Sequence, residues 1–109
     1  CLIGTGMPFG NRIYRDYYQE LENISKLTAG VRRLGAASID LAYVASGKID
    51  GFWEKDLNLW DVSSGILLVN EAGGRLSEPN GNKWTTKSRD ILASNTLIHN
   101  QLIENLTLL

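Results

Sequence analysis

Cysteine is almost absent: Cys1 is the single one among 109 residues. That excludes an internal disulfide framework and makes a reducing compartment, the cytoplasm, the expected setting. Neither sign of charge is in excess. The 11 Lys and Arg residues face 12 Asp and Glu, for a formal net charge of −1, so no basic surface for nucleic acid is indicated. Long apolar runs are missing as well. The longest aliphatic run, Ile66 to Val69, is far too short to span a bilayer, and no charged-then-apolar leader stands at the start. The chain opens on Cys1-Leu2 rather than Met, which leads us to expect a fragment, a processed chain or a truncated form. There is no internal repeat, low-complexity segment or linker. The lone histidine, His99, has no metal or catalytic partner near it in sequence and reads as solvent-facing.

What is present suits one domain. The content is 43% hydrophobic and 21% charged, ordinary for a globular protein, and the length supports a modest core. Cys1 to Gly6 reads as a strand entering a turn, with Pro8 and Gly10 keeping the next residues irregular. From Arg12 to Leu27, Ile13, Tyr17, Leu21 and Ile24 form one apolar stripe of a helix, with Glu20 and Glu22 on its wet side. Val31 to Leu34 is a short strand. A second helix opens at Gly35-Ala36-Ala37-Ser38, carries Ala37, Leu41, Val44 and Ala45 on one face, and stops at Ser46-Gly47. Asp40 falls on its polar face. Arg75-Leu76-Ser77 is extended, Pro79-Asn80-Gly81-Asn82 is a turn, and Ile91-Leu92-Ala93 is a strand. Ser94 or Asn95 can cap a last helix bearing Ile98, Leu102 and Leu106. Strands alternating with helices predict a layered α/β domain, with the strand order left open.

The central stretch, Asp50 to Gly74, carries the chemistry. Gly51-Phe52-Trp53 reads as a strand, Asp56 to Leu59 as a connection, and Asp61 as the residue before a helix. Val62, Ile66 and Val69 repeat at helical spacing. Leu67 and Leu68 make that helix apolar on more than one face, which predicts burial between layers. Gly73-Gly74 stops it.

Each candidate has a plain reading beside a chemical one. Asp61 is a helix cap or a hard oxygen ligand suited to Mg²⁺. Glu54 is an exposed glutamate paired with Lys55 or Lys48, or an acceptor for a polyhydroxylated substrate. Gly35-Ala36-Ala37 is close packing of helix on sheet, or a backbone elbow whose N–H groups meet an anion or hydroxyl. Gly4-Thr5-Gly6 lacks the third glycine of a dinucleotide fingerprint, since Phe9 holds that place. Trp53, Trp60 and Trp84 read as core or interface residues.

Several ordered motifs together resemble one family. Trp60-Asp61-Val62-Ser63-Ser64-Gly65, followed by Leu68-Val69-Asn70-Glu71-Ala72-Gly73-Gly74, resembles the C-terminal motif of the inositol monophosphatases. Thr5-Gly6-Met7-Pro8-Phe9 is similar to that family's threonine-glycine-aromatic-proline turn. The segments Arg32 to Gly47 and Asp50 to Glu54 are similar to its next helix and strand. The match covers nearly the whole chain and is closest to bacterial members.

The resemblance implies the C-terminal domain of the layered α/β sugar phosphatase fold. Residues 1–109 would form a single, substrate-side half of a Mg²⁺-dependent phosphomonoesterase, with the N-terminal metal-binding half absent. Inositol 1-phosphate is the implied substrate. Sister substrates are fructose 1,6-bisphosphate, a 3′-phosphoadenosine nucleotide and histidinol phosphate, and a non-catalytic interaction module stays open. The implied roles are magnesium binding and catalysis for Asp61. Substrate contact falls to Gly35, Ala36, Ala37, Glu54 and Asp61. The full-length protein is expected to be a cytoplasmic homodimer. Members often have serine at position 36 and paired alanines at 63 and 64, where this chain has Ala36 and Ser63-Ser64. The family's aspartate-proline motif, which supplies most metal ligands, has no counterpart, because neither Pro8 nor Pro79 follows an aspartate. The chain alone is therefore expected to be inactive.

Overall fold

The computed structural model describes residues 2–6, 15–55, 57 and 59–106. Five short strands run through the middle: β1 (Leu2–Thr5), β2 (Gly30–Arg32), β3 (Gly51–Glu54), β4 (Arg75–Ser77) and β5 (Ile91–Ser94). Four helices cover them: α1 (Arg15–Leu27), α2 (Ala37–Ser46), α3 (Leu59–Glu71) and α4 (His99–Leu106). The sheet order is β2-β1-β3-β5-β4. β1 pairs in parallel with β2 and β3, and β5 pairs antiparallel with β3 and β4. The expected α/β layering is the observed architecture, and the sheet is mixed.

Alternation along the strands divides the core. Side chains on a strand point to opposite faces in turn. Phe52 of β3 therefore joins Ile91 and Ala93 of β5 under α2 and α3, with Leu41, Val44, Val62 and Val69. Trp53 turns to the other face, where it meets Ile3, Leu92, Tyr17, Ile24, Leu102 and Leu106. That second cluster lies under α1 and α4. Both strands buried on two faces read as continuous apolar runs, as a covered sheet requires.

Several expectations need correction. α3 is one-sided: Val62, Gly65 and Val69 are buried, whereas Leu67 and Leu68 are 61% and 47% exposed. It begins at Leu59, so Asp61 stands within its first turn and does not precede it. The helix does stop at the double glycine. Gly73 takes φ +80°, and the Gly73 and Gly74 amides donate to the carbonyls of Asn70 and Val69, which satisfies the last turn. β2 is Gly30–Arg32, earlier than Val31 to Leu34. Ser94 belongs to β5, and Asn95 accepts the Leu97 amide in a turn ahead of α4, so neither caps that helix directly. Trp60 is 77% exposed, in contrast to the buried Trp53. Cys1, the expected turn at Met7, Pro8, Phe9 and Gly10, the expected helical positions Arg12 and Ile13, and the expected connection residues Asp56 and Asn58 lie outside the described residues.

Candidate active site

The parallel strands β1 and β3 end side by side, with Thr5 opposite Trp53. Glu54 closes β3 there. A β-carbon on Gly6 would collide with the Glu54 carboxylate, and one on Gly4 with Asp40 Oδ1. Two glycines on β1 and its exit thus let two acidic side chains lie against the backbone. This is the C-terminal edge of the parallel strands, where α/β sheets place ligands.

The next wall is the elbow into α2. Gly35 sits at φ +93°, a conformation glycine adopts without strain, and a β-carbon there would meet nothing within 4 Å. Space above the elbow is open. Ala36 follows at φ −150° and ψ 128° as the N-cap, with no side-chain cap. Its carbonyl accepts the Ile39 and Asp40 amides, both at 3.1 Å. A helix start capped only by alanine offers its first N–H groups outward.

Glu54 feels the charges of Asp61 and Arg33, and Asp40 feels that of Glu54. Burial first, and then the negative charge of Asp61, push the Glu54 carboxyl up to about 7, while Arg33 works against them. Asp61 stands in the first turn of α3. Asp40 is 1% exposed, so the expectation of a polar-face residue is wrong. Burial, and then the nearby Glu54 charge, raise its carboxyl to about 7, and Oδ1 has no hydrogen-bond partner. A buried carboxyl without a charge partner favours its neutral form. Tyr17 stands behind, its hydroxyl 3.2 Å from Thr5 Oγ1, and burial raises its pKa.

Of the five residues singled out from sequence, Glu54 and Asp61 are near enough for the Asp61 charge to raise Glu54, and Gly35, Ala36 and Ala37 form the elbow that opens α2. Neither lysine proposed as a partner for Glu54 fills that role. Lys55 pairs with Glu20, and Lys48 lies over the Tyr43 ring. Sequence reading missed Asp40, Arg33 and Tyr17. Asp40 was findable, because it sits three residues after Ala37 and four before Val44, on the buried stripe itself.

Asp61 supplies a hard oxygen of the kind Mg²⁺ prefers, and a cation beside it would offset its repulsion of Glu54. Among the described residues, however, no group of three or more His, Cys, Asp or Glu side chains comes together to hold an ion. The donors fit as part of a magnesium site.

The model of the inositol monophosphatase family matches residues 6–108. The chain belongs to the inositol monophosphatase family. An inositol-1-monophosphatase of Caulobacter vibrioides is 43% identical over 108 residues, covering 97% of this chain and 42% of that protein. The Nus factor SuhB of Pseudomonas aeruginosa is 46% identical over 99 residues, covering 88% of this chain and 36% of its own length. The native crystal structure of the extragenic suppressor protein suhB from Bartonella henselae superposes with a TM-score of 0.90 at 42% identity. It covers 98% of this chain and 41% of that one. The chain thus spans about two fifths of the length of the curated relatives it matches. These inositol monophosphatase relatives share its mixed sheet between helix layers, and bacterial proteins are prominent among them.

Proposed function

We propose that the chain is the substrate-side half of a Mg²⁺-dependent phosphomonoesterase acting on inositol 1-phosphate. The observation that carries this reading is the nearness of Glu54 and Asp61, whose charge raises the Glu54 carboxyl; the Ala36 N-cap of α2, without a side-chain cap, supports it. Glu54 accepts hydrogen bonds from the polyol hydroxyls. The elbow amides of α2 orient the same ring from the opposite side, and Gly35 leaves room for it. Asp61 would contribute one carboxylate oxygen to magnesium on the leaving-group side. The bound ion supplies charge neutralisation and a more acidic water. The remaining donors come from residues that this chain does not contain.

Support for the substrate class comes from the relatives named as inositol-1-monophosphatases. Single acidic ligands do not hold Mg²⁺ tightly, because the ion dehydrates reluctantly and prefers six oxygens. The expected result with the purified 109-residue chain is no magnesium-dependent phosphate release from inositol 1-phosphate; release at a steady turnover would refute the division of labour. In a complete enzyme carrying these residues, Asp61→Asn is expected to remove most activity while the fold is kept. Retained activity would return Asp61 to a capping role.

A second reading draws on relatives named Nus factor SuhB or putative Nus factor SuhB at 43–46% identity. It makes the protein a non-catalytic partner of other macromolecules. Capture of a defined partner unaffected by Asp61→Asn would favour it.

A further inference from the structure

Glu20 was expected on the wet side of α1, yet it is fully buried. Its Oε1 accepts the Trp53 indole N–H at 3.2 Å, and its Oε2 lies 2.6 Å from Lys55 Nζ. Trp53 is fully buried as well, and the Lys55 side chain is 24% exposed. The two residues that Glu20 grips are the immediate neighbours of Glu54 on either side. Strand alternation sends Trp53 and Lys55 toward α1 and Glu54 toward α2 and α3. Thr5, the register partner of Trp53, is held from the same helix by Tyr17.

We propose that Glu20 is a positioning residue for Glu54: by clamping Trp53 and Lys55 it fixes the end of β3 and holds the Glu54 carboxylate toward Asp61 and the elbow. The proposal rests on the phosphatase reading for its purpose, though not for its geometry. A buried ion pair is weak evidence for stability, because desolvation offsets most of the attraction, and its better use is to specify one arrangement. Apolar residues at positions 20 and 55 would fill the same space between α1 and β3. They would not, however, tie both flanks of Glu54 to one point. With the last residue of a strand free to twist, a long glutamate samples several rotamers.

The test uses the 109-residue chain in solution. NMR reads the χ1 rotamer populations of Glu54 and the order parameter of its amide, in wild type, Glu20→Gln and the double variant Glu20→Gln/Lys55→Met. Glu20→Gln leaves the Lys55 ammonium without its carboxylate, though its 24% exposed side chain can turn to water; the double variant removes both charges and is the one expected to fold without that cost. Glu20→Gln keeps an acceptor for Trp53 and loses the grip on Lys55. In wild type Glu54 should hold one rotamer with a rigid amide, near 0.85. In both variants it should average over rotamers, with the amide falling toward 0.6. A merely structural Glu20 would change the melting temperature and leave Glu54 in one rotamer, and that result overturns the proposal. The readout needs no substrate, so it is separate from the phosphatase reading, which activity of Glu54→Gln in a complete enzyme tests.

Discussion

At the scale of single residues, Ala36 shows how stability and ligand binding compete for the same atoms. It occupies the N-cap of α2 in an extended conformation and brings no side-chain acceptor. Alanine is among the poorest N-caps, and serine gains about 1 kcal/mol over it by accepting an amide of the first turn. Ala36→Ser is therefore expected to raise unfolding free energy by roughly that amount in urea titrations. An unchanged midpoint would mean that those amides are already satisfied. The same hydroxyl would occupy N–H groups that the proposed elbow offers to substrate. Position 36 also shows what was legible: the glycine-alanine elbow, Glu54 and Asp61 could be read from spacing and resemblance. The buried polar residues are legible only from helical position, because their side chains carry no apolar signal. Glu20 stands three residues after Tyr17 and four before Ile24. Asp40 stands likewise between Ala37 and Val44, and His99 leads Leu102 and Leu106. All three lie on the buried face. Burial follows helical position, and a polar residue caught there finds a partner or changes its protonation.

At the scale of elements, the contact between α2 and α3 places the elbow relative to Asp61. The two helices touch at Gly65, where a β-carbon would come within 2.5 Å of Leu41 Cβ and Cδ1. Leu41 is fully buried, and its Cβ is fixed to the helix, so relief requires the helices to separate. Two effects oppose one another in Gly65→Ala. Alanine favours a helix interior over glycine by about 1 kcal/mol, whereas overpacking a tight core costs about 1–3 kcal/mol. The cost is expected to win, giving a net loss of about 1 kcal/mol on chemical denaturation. A stabilised variant would show that α2 and α3 slide apart freely. Nothing in the sequence announced this contact. The run Ile66 to Val69 suggested burial on all sides, but Leu67 and Leu68 reach solvent because the short helix α2 covers only one side of α3.

At the scale of the whole molecule, buried titrating groups on different elements set opposing pH responses. His99 is fully buried. Its ring bridges Ser77 Oγ on β4 at 2.8 Å and Ser94 Oγ on β5 at 2.6 Å. Burial first, and then the Arg75 charge, lower its pKa from 6.5 to about 4. The unfolded chain then binds more protons between about 4 and 6.5, so stability falls as pH falls through that window. Asp40 does the reverse. Its carboxyl is raised from 3.8 to about 7, so the folded state holds the extra proton and stability falls as pH rises from about 4 to 7. At 1.36 kcal/mol per unit, the Asp40 effect reaches about 4 kcal/mol and the His99 effect about 3 kcal/mol at full extent. Each group sits on its own helix with its own neighbours, so their effects should add. Glu54, raised from 4.5 to about 7, acts in the same direction as Asp40, so wild type is expected to lose stability as pH rises from 4.5 to 6.5, with His99 opposing part of that slope. Asp40→Asn should flatten the profile, because the Glu54 and His99 slopes that remain nearly oppose one another. His99→Gln, whose amide can both donate and accept between the two serines, should steepen the fall. Denaturant midpoints measured across that range would decide the matter. Parallel profiles for all three proteins would show that neither group carries its shifted proton equilibrium into the folded state.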